Sequence, residues 1–356
     1  MAVSKNSIST ASRYTRFMVS KANVVDFIAE VSANHLGSFD RACQIVQAAG
    51  EAGATSVKFQ TYTPDTMTLN LPNLQVSEDH ALWGGRTLYE LYQEAQTPWE
   101  WHKELFELSI RLGLVPFSSP FDFSAVDFLE DLGVSKYKIA SLESSDLPLI
   151  KYVAETGKPI IASTGATHWN EIVDLVETVN STGNEDLTLL VCTSSYPAEP
   201  RDSHLLRIRK IKESFGVKVG LSDHTLGVGS SIAAIALGAT VIEKHLTLRR
   251  ADGGADSQFS MEPEEFRLLV NEGKVASEAL GNEAWTMQPS EEESRRLRRS
   301  LYVVSDVKRG DEVSGQNMRS IRPGYGLSPK HYWGLLGKKF QEDYVAGTPI
   351  NLEMFE

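Results

Sequence analysis

The apolar positions of the chain come in short runs that recur with a rhythm. "DFIAEV" begins at Asp26, "TSVKFQ" at Thr55, "LVPFSS" at Leu114 and "YKIAS" at Tyr137. "KPIIAS" begins at Lys158, "LTLLVC" at Leu187, "VKVGLS" at Val217 and "TVIEKH" at Thr240. Most are rich in β-branched residues and lack a clean apolar/polar alternation, as strands buried on both faces do. Between them lie segments with apolar residues at helical spacing. "SFDRACQIVQAAGEAG" offers Ser38 or Asp40 as its N-cap, and "WEWHKELFELSIRLG" and "SHLLRIRKIKESFG" repeat the pattern. Many of these segments end in Gly just before the next strand, where a helix C-terminus prefers it. Strands alternating with helices through eight repeats predict an α/β fold, a (β/α)8 TIM barrel. A doubly wound open sheet is the alternative, but the first strand lacks the GxGxxG turn of that fold.

The rhythm breaks twice. Residues 60–99 form a long insertion between strands two and three, and long connections in compact domains are often lids. From Met287 a charged stretch, "QPSEEESRRLRRS", leads into short strands and turns. The expected division is a flexible segment 1–22, a barrel 23–286, a linker 287–298 and a small domain 299–356. Two stretches of the tail, "DVKRGDEV" and "DYVAGTPI", share an Asp-x-x-x-Gly frame followed by an apolar residue. So small a domain is near the lower limit for independent stability, and is expected to lean on the barrel or on a second chain.

Composition narrows the function. The formal net charge is −12, so no overall basic balance draws the chain to nucleic acid or an anionic membrane. Positive groups that hold an anionic substrate must therefore be local. The two cysteines, Cys43 and Cys192, lie in unrelated segments without a CxxC or Cys/His cluster and read as small buried residues in a reducing compartment. No apolar run has the length of a membrane span. The Ser-rich N-terminus lacks a secretory core, and a cytoplasmic protein is expected rather than one with a transit peptide.

Catalytic groups of such barrels sit at the C-terminal ends of strands. Those ends carry Glu30, Asn34 and His35; Lys58 and Gln60; Ser118 and Ser119; and Lys138, Ser141 and Glu143. Further on come Ser163 and Thr164, Thr193 to Tyr196, Ser222 to His224, and Glu243 to His245. Alternation must turn some of these away from the mouth. His224 and His245 top adjacent strands about 5 Å apart, so both imidazoles can reach one ion. Two His with oxygen or water ligands suit Mn²⁺, Fe²⁺, Co²⁺ or Zn²⁺, and Asp223 or Glu243 is expected to orient a ligand from behind. The competing interpretation is two unconnected histidines. Lys58 and Lys138 with Ser119, Ser141 and Ser163 are the ingredients of a phosphate or carboxylate site. Glu30 is the best placed general acid or base. Barrel lysines such as Lys138 also admit a Schiff-base aldolase, and the tail admits a carbohydrate- or ice-binding protein.

The strand ends resemble those of the sialic acid synthase family, which condenses phosphoenolpyruvate with an N-acetylated sugar. "FIAEVSANHLGS", "VKFQTYTPDT", "YKIAS", "STGA", "CTSSYP", "GLSDHT" and "EKHLTL" are similar to its motifs, in order. "RRSLYVV" and "RSIRPGYGL" resemble its C-terminal antifreeze-like domain (SAF, a β-clip). Within the family, "FQTYTPDTMT", "LWGGRTLYELYQEAQTPWEWH", "SSPFD" and "DGGADSQFS" resemble the pseudaminate-forming branch. That branch takes a 2,4-diacetamido-2,4,6-trideoxy-altrose in place of N-acetylmannosamine. Sialic acid synthases usually carry Asn where this chain has Ser194. N-acetylneuraminate- and legionaminate-forming activities are the alternatives, and Trp83 in the insertion suits a 6-deoxy, doubly acetylated sugar.

The resemblance implies roles. Glu30, Lys58 and Lys138 would be catalytic, and Lys58, Ser119, Lys138, Ser141 and Ser163 would hold phosphoenolpyruvate. Gln60, Glu143, Tyr196 and Asp256 would face the sugar. His224 and His245 would bind a divalent metal, Mn²⁺ first, with Mg²⁺ or Co²⁺ as alternatives. Arg322, in "IRPGYG", would enter the active site of a partner chain, which implies a domain-swapped homodimer.

Overall fold

The computed structural model describes residues 25–78 and 83–356. The expected segment 1–22 lies outside the described residues. Each of the eight apolar runs forms a strand: β1 Asp26–Glu30, β2 Ser56–Thr61, β3 Val115–Pro120, β4 Tyr137–Ile139, β5 Ile160–Ser163, β6 Leu187–Cys192, β7 Lys218–Ser222 and β8 Val241–His245. They pair in parallel, in chain order, and β8 closes on β1 with His245 opposite Glu30. The fold is thus the closed eight-stranded barrel expected from the pattern, and not the open sheet.

The helices alternate with the strands around it. They are α1 Phe39–Glu51, then α2 Pro64–Met67 and α3 Leu88–Ala95 in the insertion, α4 Trp99–Arg111, α5 Phe123–Asp131 and α6 Leu147–Glu155. After them come α7 Trp169–Ser181, α8 Arg207–Phe215, α9 Gly229–Ala236 and α10 Pro263–Ala279. Of the two candidate caps for α1, Ser38 takes the place, its side chain accepting a hydrogen bond from the Arg41 amide. The core lies between strands and helices, where Phe27, Phe59, Phe117, Leu105 and Phe266 are buried.

One glycine matters to the site. A Cβ at Gly220 of β7 would stand 2.4 Å from the Val241 carbonyl of β8. The bare backbone lets these two strands close up, and they are the strands that carry the histidines.

The first unit runs to Gly281 and the second from Asn282 to Glu356. The second contains α11 Glu292–Arg296 and the antiparallel pair β9 Ser300–Val303 and β10 Met318–Ile321. It has a core of its own, built on Leu301, Val303, Val307, Met318, Phe340 and Ile350. The two similar Asp-x-x-x-Gly stretches pair with each other: the amides of Val307 and Tyr344 each donate to the other's carbonyl, at 2.9 and 3.0 Å. Among the described residues no helix is long and apolar enough to cross a membrane.

Candidate active site

Alternation along each strand sorts the polar residues. On β8, Glu243 and His245 face the cavity inside the barrel mouth. Lys244 between them faces outward, fully buried, and its Nζ donates to Asp223 Oδ2 at 3.0 Å and to the Thr225 and Gly227 carbonyls. On β2, Lys58 and Gln60 face in, while Phe59 stacks on Phe106 of α4 and Thr61 bonds His102 and Ser118. Ser118, Lys244 and Asp223 are therefore scaffold, as a period-two element requires of alternate positions.

The cavity has a volume of about 440 Å³, the size of a small-molecule site. Its floor is ionic. The Lys58 ammonium is 2.6 Å from Glu30 and 3.1 Å from Glu243, and Lys138 is 3.8 Å from the other oxygen of Glu243. Lys138 Nζ also donates to Ser163 Oγ at 2.6 Å. Burial works against the Glu243 charge, but Lys138 and Lys58 together outweigh it and hold the carboxyl down at about 2. Burial dominates at Lys58, which falls to about 8 despite the attraction of Glu243. Two lysines thus stand together on the floor with the carboxylates of Glu30 and Glu243, and an anion can bridge the two ammonium groups.

The imidazoles of His224 and His245 have ring centroids 5.4 Å apart. His224 Nδ1 is 3.0 Å from the Thr193 carbonyl. A carbonyl only accepts, so Nδ1 carries the hydrogen, and the neutral ring presents its lone pair at Nε2, although, against its burial, Cys192, the Thr193 carbonyl and Glu243 raise the imidazole. Burial, with His224 and Lys58 nearby, pushes His245 well below the usual imidazole range, and its Nδ1 has no hydrogen-bond partner. Two imidazoles with lone pairs left over fit one divalent cation. Among the described residues no group of three or more His, Cys, Asp or Glu could hold a metal, so further ligands would come from substrate or water. The expectation that Asp223 or Glu243 orients a histidine is corrected. Asp223 is committed to Lys244, Thr225 and Ser231, and Glu243 to the lysines and Ser222, while the Thr193 carbonyl orients His224.

The remaining predicted residues fall as follows. Ser141, Ser163, Glu143, Tyr196 and Asp256 line the same cavity as Glu30, Lys58, Gln60, Lys138 and both histidines. Gln60 donates to Ser32 Oγ at 2.9 Å, and the Tyr196 ring lies 4.5 Å from that of His224. Asp256 accepts from the Ala33 amide, and burial raises its carboxyl and that of Glu143. Ser119 is buried in register with Gln60, outside the cavity lining, and its hydroxyl has no hydrogen-bond partner. Arg322 is exposed just after β10 in the second unit, and the residues lining the barrel cavity all belong to the first.

Glu243, Ser222, Ser32 and Cys192 also line the cavity, and the sequence pattern assigns none of them to substrate binding or catalysis. Glu243 was legible: it lies two residues before His245 on a strand, hence on the same face. Ser32 was not, because it belongs to a short 3₁₀ turn after β1 that no periodicity announces.

The chain matches the NeuB family over residues 45–284 and the SAF domain over 298–356. It is 42% identical to the pseudaminic acid synthase of Campylobacter jejuni over 93% of this chain and 97% of that one. The Helicobacter pylori pseudaminic acid synthase is 44% identical over 92% and 97%. Among solved structures, the N-acetylneuraminic acid synthetase of Leptospira borgpetersenii in complex with citrate superposes with a TM-score of 0.69, at 30% identity, over 77% of this chain and 90% of that one. A closed barrel with lysines and histidines at its mouth, followed by a SAF domain, agrees with these matches, and the chain belongs to the NeuB family.

Proposed function

We propose that the barrel condenses phosphoenolpyruvate with 2,4-diacetamido-2,4,6-trideoxy-altrose and water, giving pseudaminate and phosphate by C–O cleavage. The observation that carries this reading is the pair Lys58 and Lys138 buried in the same cavity as His224 and His245. An anion site and a two-imidazole site share one small chamber. Similarity to pseudaminic acid synthases over nearly the whole chain supports the choice of sugar.

Lys58 and Lys138 would hold the phosphate and carboxylate of phosphoenolpyruvate, with Ser141 and Ser163 donating hydrogen bonds and Ser119 within the same strand layer. C3 of phosphoenolpyruvate bonds to the aldehyde carbon of the open-chain sugar, and water adds at C2. The C2–O bond to phosphate then breaks, leaving the keto acid, and the lysines stabilise the departing dianion. Glu30 is buried within 2.6 Å of Lys58 and accepts from the Ser32 amide. There it can take the proton of the attacking water and return one to the new hydroxyl. Gln60, Glu143, Tyr196 and Asp256 would position the sugar. His224 and His245 would hold a divalent cation, Mn²⁺ or else Mg²⁺ or Co²⁺, which when bound supplies Lewis-acid polarisation of the aldehyde oxygen. Arg322 would complete the sugar site of a second copy in a domain-swapped dimer, and the enzyme would work in the cytoplasm.

The test is phosphate release from phosphoenolpyruvate and Mn²⁺ with three sugars in parallel: the altro-configured sugar, its legionaminic-pathway counterpart and N-acetylmannosamine. Release with the altro sugar alone is expected. Release with another sugar moves the chain to a sister activity, and no release with any of them overturns the reading. Borohydride trapping of a covalent adduct at Lys138, without need of metal, would favour a Schiff-base aldolase instead.

A further inference from the structure

The cavity has two unlike halves. Its ionic floor ends at the imidazoles, and above them one side is apolar. Met67, Val76, Trp83, Leu88, Leu91 and Tyr92, all from the insertion between β2 and β3, line that side. None of the six carries a charge. The Trp83 indole N–H is committed to the Ala255 carbonyl at 3.2 Å, which ties the insertion to the loop after β8.

This wall is preformed. The strand-like bridge between Gln75 and Thr87 pairs two stretches within the insertion, and the reciprocal Thr87–Glu90 cap starts α3. Tyr92 packs edge-on against Tyr62, which packs in the same way against Phe121. The wall also has a measurable place relative to the imidazoles. The Tyr196 ring lies 4.5 Å from that of His224, and the Trp83 ring lies 5.9 Å from that of Tyr196. A six-carbon open chain with its aldehyde at the imidazoles is long enough to extend to the apolar side of the same cavity.

We propose that Met67, Val76, Trp83, Leu88, Leu91 and Tyr92 set the sugar specificity of the reaction, by receiving the carbon furthest from the aldehyde and selecting a terminal methyl over a terminal hydroxymethyl. The inference rests on the reaction proposed above. A methyl group gains by leaving water for this wall. A hydroxyl there loses its water and meets five side chains with no free hydrogen-bonding group, the Trp83 N–H being held by Ala255, so that the Tyr92 phenol is its one partner in the wall. Such a pocket discriminates modestly, since it can only withhold a hydrogen bond.

The test uses the full-length protein with Mn²⁺, phosphoenolpyruvate and two matched sugars: the 6-deoxy altro sugar and the same sugar with a 6-hydroxyl. The expected kcat/KM preference for the 6-deoxy sugar is about ten- to a hundredfold. Val76→Thr, which hardly changes volume, and Leu88→Gln place hydrogen-bonding groups on the wall. Each should narrow the preference by about fivefold or more, with the KM for phosphoenolpyruvate unchanged. Equal turnover of both sugars by the unaltered protein would overturn the inference and leave the reaction standing. So would a preference that survives intact in both variants. Phosphate release with neither sugar would overturn the reaction itself, and the inference with it.

Discussion

Lys58 lies against two acids, Glu30 and Glu243, yet burial still drags its ammonium down to about 8. A bound phosphate or carboxylate would favour the charged form and raise that value again. Phosphoenolpyruvate binding at pH 8 and above should therefore take up a proton, and its affinity should fall as pH climbs past about 8. Titration calorimetry in buffers of different ionisation enthalpy measures the uptake, and Lys58→Met should abolish it. No proton uptake in the unaltered protein would remove Lys58 from the anion site. His224 makes a simpler case. His224→Ala should lose metal-dependent turnover, and bound Mn²⁺ measured by elemental analysis should fall in step, with the circular dichroism unchanged. Full metal content in that variant would refute the ligand assignment.

At the scale of elements, the ion pair between Lys244 and Asp223 holds β8 to the loop that follows β7. Both side chains are 1% exposed, 3.0 Å apart, and Asp223 also accepts from Thr225 and Ser231. In that loop Asp223 is followed directly by His224, and in β8 Lys244 is followed by His245, so the pair fixes one imidazole against the other. Removing one partner leaves a buried charge alone. Lys244→Met or Asp223→Asn should each destabilise the barrel by about 3–5 kcal/mol in denaturant melts. The double change should cost less than the sum, because it leaves no orphaned ammonium. Additive losses would mean that the two side chains act independently.

At the scale of the whole molecule, the chain has two units, each with its own apolar core. The second core was not expected from the short tail alone. Its residues come from stretches far apart in sequence, and the pairing of Val307 with Tyr344 brings them together. The dimer proposal is tested here by complementation. An Arg322→Ala chain mixed with a His224→Ala chain should recover part of the activity that each lacks. Absence of recovery, with mixed dimers demonstrated by tag pull-down, would count against supply of Arg322 by a second copy.

Sequence by itself determined the barrel, the strand tips and the polar residues on them. Apolar runs of β-branched residues are buried on both faces in parallel sheets covered by helices, eight repeats without a GxGxxG turn favour the barrel among these, and the glycines after the helices mark each turn back. It also marked His224 and His245 as neighbours, because neighbouring strands carry neighbouring tips. What only the tertiary structure decided was partnership. Asp223 and Glu243 look alike beside their histidines in sequence, but alternation and closure send one to Lys244 on the outside and the other to Lys58 and Lys138 within. Nor does any local pattern place Trp83 against Tyr196, more than a hundred positions later in the chain. Contacts between segments distant along the chain depend on how the closed barrel folds its loops over its mouth, and short-range periodicity carries no record of that.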